Sequence, residues 1–431
     1  MKILLINQSW FAPELRAAGH EVHCLGTMWK LDSQVSSFLL HIDEVIDALP
    51  NGFVPDRIVV LDNSAPVVVT GLEECPIPCV FLSVDTHHHA SQHRFLWHLF
   101  DYMFVAQRDY MSQFDSVGAT PEWMPLWASE IVQPVEEKEH GAIFVGTLNS
   151  TLNPDRVKFF EALQQKVPIK VMSGNWAALF PRSRVVVNQT VKGDLNFRVF
   201  ESMISGAALL TEKSGNGLDE LFVDGEQLVL YSKGNVDDAA ERIRELLGDP
   251  ARTRRIAEAG RAEVQRAHLP LHRATRLLEV LTPLQRVRRP LRHFSAMANY
   301  AELARKFLNL DGKLFTKSIA HCLKAATAGL EHNEPLSQEL GCLALVCAQK
   351  YDTVFGSAAG RNLIGKMTEQ YPTILALRLA NLRNVLNWQG RDEAVKLATT
   401  ITPNSDTLLE QADRFVVALS EEVWGREALV K

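Results

Sequence analysis

Short uninterrupted apolar runs alternate with stretches of helical periodicity through the first two thirds of the chain. KILLI (2–6) heads the series, and EVHCL, RIVVL, CVFLSV and YMFVA follow it. Runs that stay apolar, rather than alternating with polar residues, are expected of strands buried on both faces of a parallel sheet. Pro13 can open a helical turn after the first run, where its missing N–H costs nothing, and Gly19 can close it. Asp32 is placed to cap a helix through FLLHIDEVIDAL, whose apolar residues recur at helical spacing. Further helices are expected around 90–100 and 107–116.

A polar stretch with Pro134, VQPVEEKEH (132–140), reads as a linker to a second series that begins at AIFVG (142–146). That series predicts a helix over 154–165, strands at PIKVM and RVVVN, a helix over 196–204, a strand at ALLTE, a short helix at 217–222 and a strand at QLVLY. Two long helices, 235–247 and 250–267, close it. After Leu281 the pattern changes. TPLQRVRRPLRHF is Arg-rich, is broken by Pro283 and Pro290, and reads as a solvated connector. From about 294 onward every run has helical spacing, and Pro335, Pro372 and Pro403 each precede one.

The expected fold class is α/β: two Rossmann-like domains, 1–138 and 139–283, followed by an all-α, helical-repeat-like domain over 284–431. ALRLANLRNVLNWQGRDEAVKLATTITP looks like one tetratricopeptide unit, with a turn at Gly390 and with Ala394 and Ala398 on its second helix. Such helix pairs bury their apolar faces only by stacking on neighbours.

Composition narrows the classes. With 431 residues, two or three domains are expected. The chain is 46% hydrophobic and 22% charged, which excludes general disorder. A net charge of −6 argues against a nucleic-acid binder driven by bulk positive charge. No apolar run is long enough for a membrane span or a signal-peptide core. The six cysteines lack metal-knuckle spacing, and Cys75 and Cys79 are expected to be inert thiols. The expected setting is cytoplasmic and thiol-reduced.

The stretch NFRVFESMISGAALLTEKSGNGLDELFVDGEQLVLY (196–231) holds the most chemistry. Arg198 and Glu201 are three apart on one helix and project to one side of it. SGNG then supplies backbone N–H groups before the next helix, a potential anion cradle. Upstream, Asp85-Thr86-His87-His88-His89 follows the strand CVFLSV, at a carboxyl end facing the expected cleft. A histidine there can bind substrate or take a proton, because its pKa lies near neutrality. His89 and His93 also stand at the i, i+4 spacing of a metal pair.

Residues 142–280 resemble the donor-binding domain of GT-B glycosyltransferases, most closely a spore-maturation-type branch related to retaining family four. The match is carried by the Arg-x-x-Glu helix, the hydrophobic strand after it, GLDELFVDGEQLVLY, and FVGTL (144–148). The N-terminal segment from VDTHHHASQHRF to PEWMPLWA resembles that family's acceptor-side lobe.

The resemblance implies a nucleotide-sugar donor and a retaining, metal-independent transfer without a cofactor; the repeat-like tail, whose kind presents extended concave surfaces, is expected to recruit or orient a protein or glycan acceptor. It implies that Glu201 binds the ribose hydroxyls, that Arg198 and Arg156 meet the diphosphate, and that Gly146 and Thr147 border the donor. It further places Asn188 before the donor helix, and Gly215, Asn216 and Gly217 against the sugar or phosphate; Asp85 and His87 are the acceptor-side candidates. Three departures stand out. Gly193 takes the place of a first Glu, Thr147 that of an Arg, and no glycine-rich loop follows the first strand. They motivate a second class, a degenerate transferase acting as an interaction scaffold, and a weaker third, a sugar-nucleotide epimerase.

Overall fold

A computed structural model describes residues 1–28, 30–62, 68–402 and 405–425. The strands are β1 Lys2–Ile6, β2 Glu21–Gly26, β3 Ser33–Gln34, β4 Leu39–His41, β5 Arg57–Leu61, β6 Val68–Thr70, β7 Cys79–Ser83, β8 Tyr102–Val105, β9 Glu122–Trp123, β10 His140–Val145, β11 Ile169–Met172, β12 Ser183–Asn188, β13 Ala208–Glu212 and β14 Val229–Tyr231.

They form two large all-parallel sheets, ordered β3-β2-β1-β5-β7-β8-β9 and β11-β10-β12-β13-β14. Every apolar run named above lies in one of these strands. In both sheets the order reverses next to the first strand, at β1 against β5 and at β10 against β12. Ligands of open parallel sheets bind in the crevice that such a reversal opens at the strands' carboxyl ends.

Three local expectations change. FLLH does not start a helix: Leu39–His41 is β4, paired in parallel with β6, and the helix begins at Ile42. His41 caps it, with Glu44 returning to the His41 N–H, while Asp32 accepts from the Cys24 N–H at 2.8 Å and from Arg16 at 2.6 Å. The 107–116 segment is a 3₁₀ helix, Arg108–Val117. A further helix, Pro270–Leu281, follows the two expected at the end of the second series and packs back on the first lobe. Arg273 donates to the carbonyls of Pro125 and Leu126 at 2.7 and 2.9 Å, and Arg276 holds Glu122 at 2.7 Å. Ile3, Leu5 and Phe11 of the first lobe and Val199, Phe200 and Met203 of the second thus share one core with Leu277 and Leu281.

The Arg-rich connector is not a solvated one. Arg286 reaches the fully buried carboxylate of Asp101 at 2.7 Å, and Arg292 approaches it at 3.5 Å. Arg289 lies over the Trp97 ring at 3.9 Å and donates to the Phe100 carbonyl at 3.0 Å. The tail begins there, with helices Arg292–Phe307, Gly312–Glu331, Gln338–Phe355, Ala359–Gln370, Leu375–Trp388, Arg391–Thr399 and Ser405–Trp424. The turn at Gly390 is present; Pro403 lies outside the described residues. Phe294, Met297 and Ile319 of the tail share a core with Ile58, Phe81 and Phe100 of the first lobe, so the tail's first helices cover one face of the first sheet. No helix among the described residues is long and apolar enough to cross a membrane.

Candidate functional site

Two arginines meet at the reversal of the second sheet. The helix Phe197–Ile204 buries Val199, Phe200, Met203 and Ile204, and this apolar face aims Arg198 back over the ends of β10 and β12. Arg198 Nε donates to the Val145 carbonyl at 3.0 Å, and Nη1 donates to Asn188 Oδ1 at 2.7 Å. The guanidinium also lies over the Phe144 ring, 4.7 Å from its centroid. Gly146 makes room for it: a Cβ there would run into Nη2 and come within 2.9 Å of the Phe144 ring. Gly146 therefore serves the site by admitting Arg198. Thr147, next in the chain, is exposed.

Arg156 sits in the first turn of the helix Pro154–Gln164 and is buried. It donates to Gln189 Oε1 at 3.1 Å and to the Gln189 carbonyl at 3.0 Å. Among the described residues neither Arg156 nor Arg198 forms an ion pair; both bond to neutral oxygens. Burial, and then the charge of Arg156, pull the Arg198 pKa down to about 10, so it stays cationic at neutral pH.

Asp194, which no sequence motif marks, is the nearby carboxylate. Burial pushes its pKa up to about 6, against the lowering effect of the Val191 N–H, Asn196 and the two arginines. Glu212 also faces Arg156, but its carboxylate is taken up by the Thr190 N–H at 2.8 Å and the Thr190 hydroxyl. The result is two buried cations without ion-pair partners beside a carboxylate that takes up a proton as the pH falls towards 6. Buried cations that lack a direct ion pair are costly, which points to an anionic ligand.

Glu201 is one turn beyond Arg198 and is also buried. Its Oε1 accepts from the Ser129 hydroxyl at 2.5 Å, in the segment that crosses between the lobes. Burial raises its pKa, partly offset by Ser129 and then Arg198.

The SGNG loop is occupied by the first lobe. Asn216 N–H donates to Asp109 Oδ2 at 2.9 Å, and Asp109 N–H donates to Asn216 Oδ1 at 3.0 Å. A Cβ at Gly215 would collide with the Asp109 carboxylate, and one at Gly217 (φ 82°) with the Trp123 ring. The expected anion cradle thus holds a carboxylate of the chain itself. Gln107 adds a matched pair, accepting from the Leu195 N–H at 2.8 Å and donating to its carbonyl at 3.2 Å. The clasp joins 107–109 to 195 and 215–217; its signal in the sequence was the polar run QRD directly after a strand.

Across the cleft, Asp85 precedes the helix Thr86–Leu96, and its N–H donates to Asp62 Oδ2 at 2.9 Å. His87 is buried and its Nδ1 has no partner. Burial, then His88, drops its pKa to about 4, so the ring is neutral. Lys192 of the second lobe contributes to that lowering, and the Tyr110 hydroxyl donates to the Lys192 carbonyl at 3.3 Å. The structure thus brings His87 close to the 189–195 loop that carries Asp194. The His89 and His93 ring centroids lie 5.4 Å apart, His93 Nδ1 is engaged with Ser83 Oγ at 2.8 Å, and the pair joins no group of three or more potential metal ligands among the described residues.

Comparison with known proteins adds a family match over one segment and a fold. Residues 129–279 match the glycosyl transferase-like family. No curated protein matches the chain significantly. Among solved structures, Anabaena HepE in complex with UDP-glucose superposes with a TM-score of 0.50 at 13% identity, covering 66% of this chain and 100% of that one. Sucrose-phosphate synthase from Thermosynechococcus elongatus gives 0.48 at 12% identity, covering 65% of this chain and 98% of that one. Residues 129–279 are therefore a glycosyltransferase-like segment within a two-sheet fold of the GT-B type, followed by an all-helical region.

Proposed function

We propose that the chain transfers a sugar from a nucleoside-diphosphate sugar to a protein or glycan acceptor. The observation that carries this reading is the pair of buried guanidiniums, Arg156 and Arg198, without ion-pair partners at the carboxyl ends of β10 and β12. A guanidinium matches a phosphate in two-pronged fashion, and fixed cations in a dry site stabilise charge as it develops. In the transfer, the bond between the anomeric carbon and the β-phosphate oxygen breaks, and its electron pair stays on the phosphate. Arg156 and Arg198 stabilise that charge, which makes the reaction independent of a metal.

His87 at a pKa of about 4 is too weak a base to take the acceptor's proton. It accepts a hydrogen bond that orients the hydroxyl, and the proton passes to the departing phosphate oxygen, with retention of configuration. Glu201 Oε2, and Oε1 once released from Ser129, would hold the ribose. The tail suits a polypeptide acceptor. A cavity of about 690 Å³ there is lined by Gln349, Asn384, Asn387, Arg361 and Trp388.

A second reading, the interaction scaffold, is favoured by the Asp109–Asn216 clasp, which fills the loop the donor would need. A thermal-shift screen with nucleoside diphosphates and their sugars separates the two. A ligand at 100 times its Kd should stabilise the chain by about 2.7 kcal/mol. A shift with one nucleotide class supports the transferase; no shift with any supports the scaffold.

A further inference from the structure

Outside the cleft, four side chains of metal-ligand type converge where the first lobe meets the tail. Glu74 belongs to the turn after β6, His293 to the first turn of the helix Arg292–Phe307, and His332 and Glu334 to the turn after Gly312–Glu331. Glu74, His293 and His332 each offer one ligand atom, and these atoms lie within 4.8 Å of one another. His293 Nε2 is 2.7 Å from Glu74 Oε1, and the His293 ring stacks on His332 with centroids 4.6 Å apart.

Glu334 sets the chemistry of this group. Its buried carboxylate pairs with His293 Nδ1 at 2.8 Å and accepts from the N–H groups of His293 and Phe294 at 3.0 Å. A carboxylate on Nδ1 keeps the proton there and leaves Nε2 as the nitrogen turned towards Glu74 and His332. A histidine backed by a carboxylate in this way is oriented as a metal ligand and made more basic.

The backbone around the ligands is already fixed. The Tyr300 hydroxyl accepts from the Gly71 N–H at 2.8 Å and donates to Glu73 at 2.6 Å, and Arg286 donates to the Leu72 carbonyl at 2.5 Å. The Glu74 and His332 side chains, by contrast, are exposed and have room to adjust. Metal–ligand bonds of 2.0–2.2 Å in a tetrahedral site put ligand atoms about 3.3–3.6 Å apart, which Glu74 reaches by a small rotation and His332 by turning its ring out of the stack on His293.

We propose that Glu74, His293 and His332 bind a divalent transition cation of the zinc class, which staples the first lobe to the helical tail. Two imidazoles and one carboxylate are a donor set such ions accept, and the exposed side leaves the fourth position to water. The site is remote in sequence from Arg156 and Arg198 and takes no part in the transfer. Without a metal, the same residues would be an ordinary ion pair in which His293, protonated on both nitrogens, bridges Glu74 and Glu334.

The test uses the full chain, stripped with chelator and titrated calorimetrically with Zn²⁺ alone. Wild type should take up one equivalent and gain in Tm. His332→Ala and Glu74→Gln should each weaken binding at least tenfold. His332 makes no side-chain hydrogen bond among the described residues, so its variant should fold normally, as circular dichroism would verify. Absence of saturable zinc uptake by wild type, or wild-type affinity in His332→Ala, would overturn the proposal and leave the ion pair in its place.

Discussion

Asp101→Ala should loosen the junction between the first lobe and the tail. The carboxylate is fully buried and answers four donors: the Cys79 N–H, Arg286 and the Val287 N–H at 2.7 Å each, and Arg292 at 3.5 Å. Its removal leaves two largely buried guanidiniums facing each other without a counter-charge. Breaking a buried pair on one side costs about 3–5 kcal/mol. At 1.4 kcal/mol per decade, the population with an opened connector should rise by about 10²- to 4 × 10³-fold. Limited proteolysis within residues 282–291 reads that population, and Trp97, stacked under Arg289, gives a local fluorescence signal. Replacing both partners by apolar residues, Asp101→Leu with Arg286→Met, should recover much of the loss, because the stranded charge is reduced. If Asp101→Ala leaves proteolysis within threefold of wild type, the carboxylate does not organise the junction and the packing of Phe294 and Met297 does.

Three further outcomes follow from the cleft. Gly146→Ala should displace Arg198 from Val145 and Asn188, lowering stability by about 1.5–3 kcal/mol for a lost hydrogen bond to a charged group; an unchanged Tm would show that the guanidinium has other room. Asp194 has a folded-state pKa of about 6, above its ordinary 3.8, so the folded chain holds an extra proton between those values. Stability should therefore rise as pH falls through that window, and affinity for a nucleoside-diphosphate sugar should be greater at pH 5.5 than at 7.5; Asp194→Asn should flatten both profiles, and unflattened profiles would assign them to another group. Asp109→Ala removes the carboxylate held by the 215–217 loop and should raise nucleotide affinity several-fold in a calorimetric titration, whereas a fall would make Asp109 part of the ligand site.

What the sequence disclosed depended on how local each signal was. Unbroken runs such as RIVVL and ALLTE marked strands buried on both faces, and the helix expected over 196–204 is present as Phe197–Ile204. Arg198 drew notice because it stands three residues before Glu201 in one helix. The Arg-rich connector was misread because its partner, Asp101, lies about 185 residues earlier and only the fold unites them. FLLH carried helical spacing, but pairing with β6 outweighed it, as tertiary context often overrides short patterns. The tautomer-setting contact between His293 and Glu334, and the meeting of Asp109 with Asn216, are likewise long-range and left no periodic trace. Asp194 was discoverable, as an acid two residues before a helix lined with a key arginine, but its raised pKa comes from burial that a single sequence does not report.

The proposed transfer requires Arg198 to bind the donor's phosphate as a cation. Calorimetric titration of a nucleoside-diphosphate sugar that stabilises wild type should show at least 100-fold weaker binding to Arg198→Met, with the fold intact by circular dichroism. Equal affinity in the two proteins would contradict it.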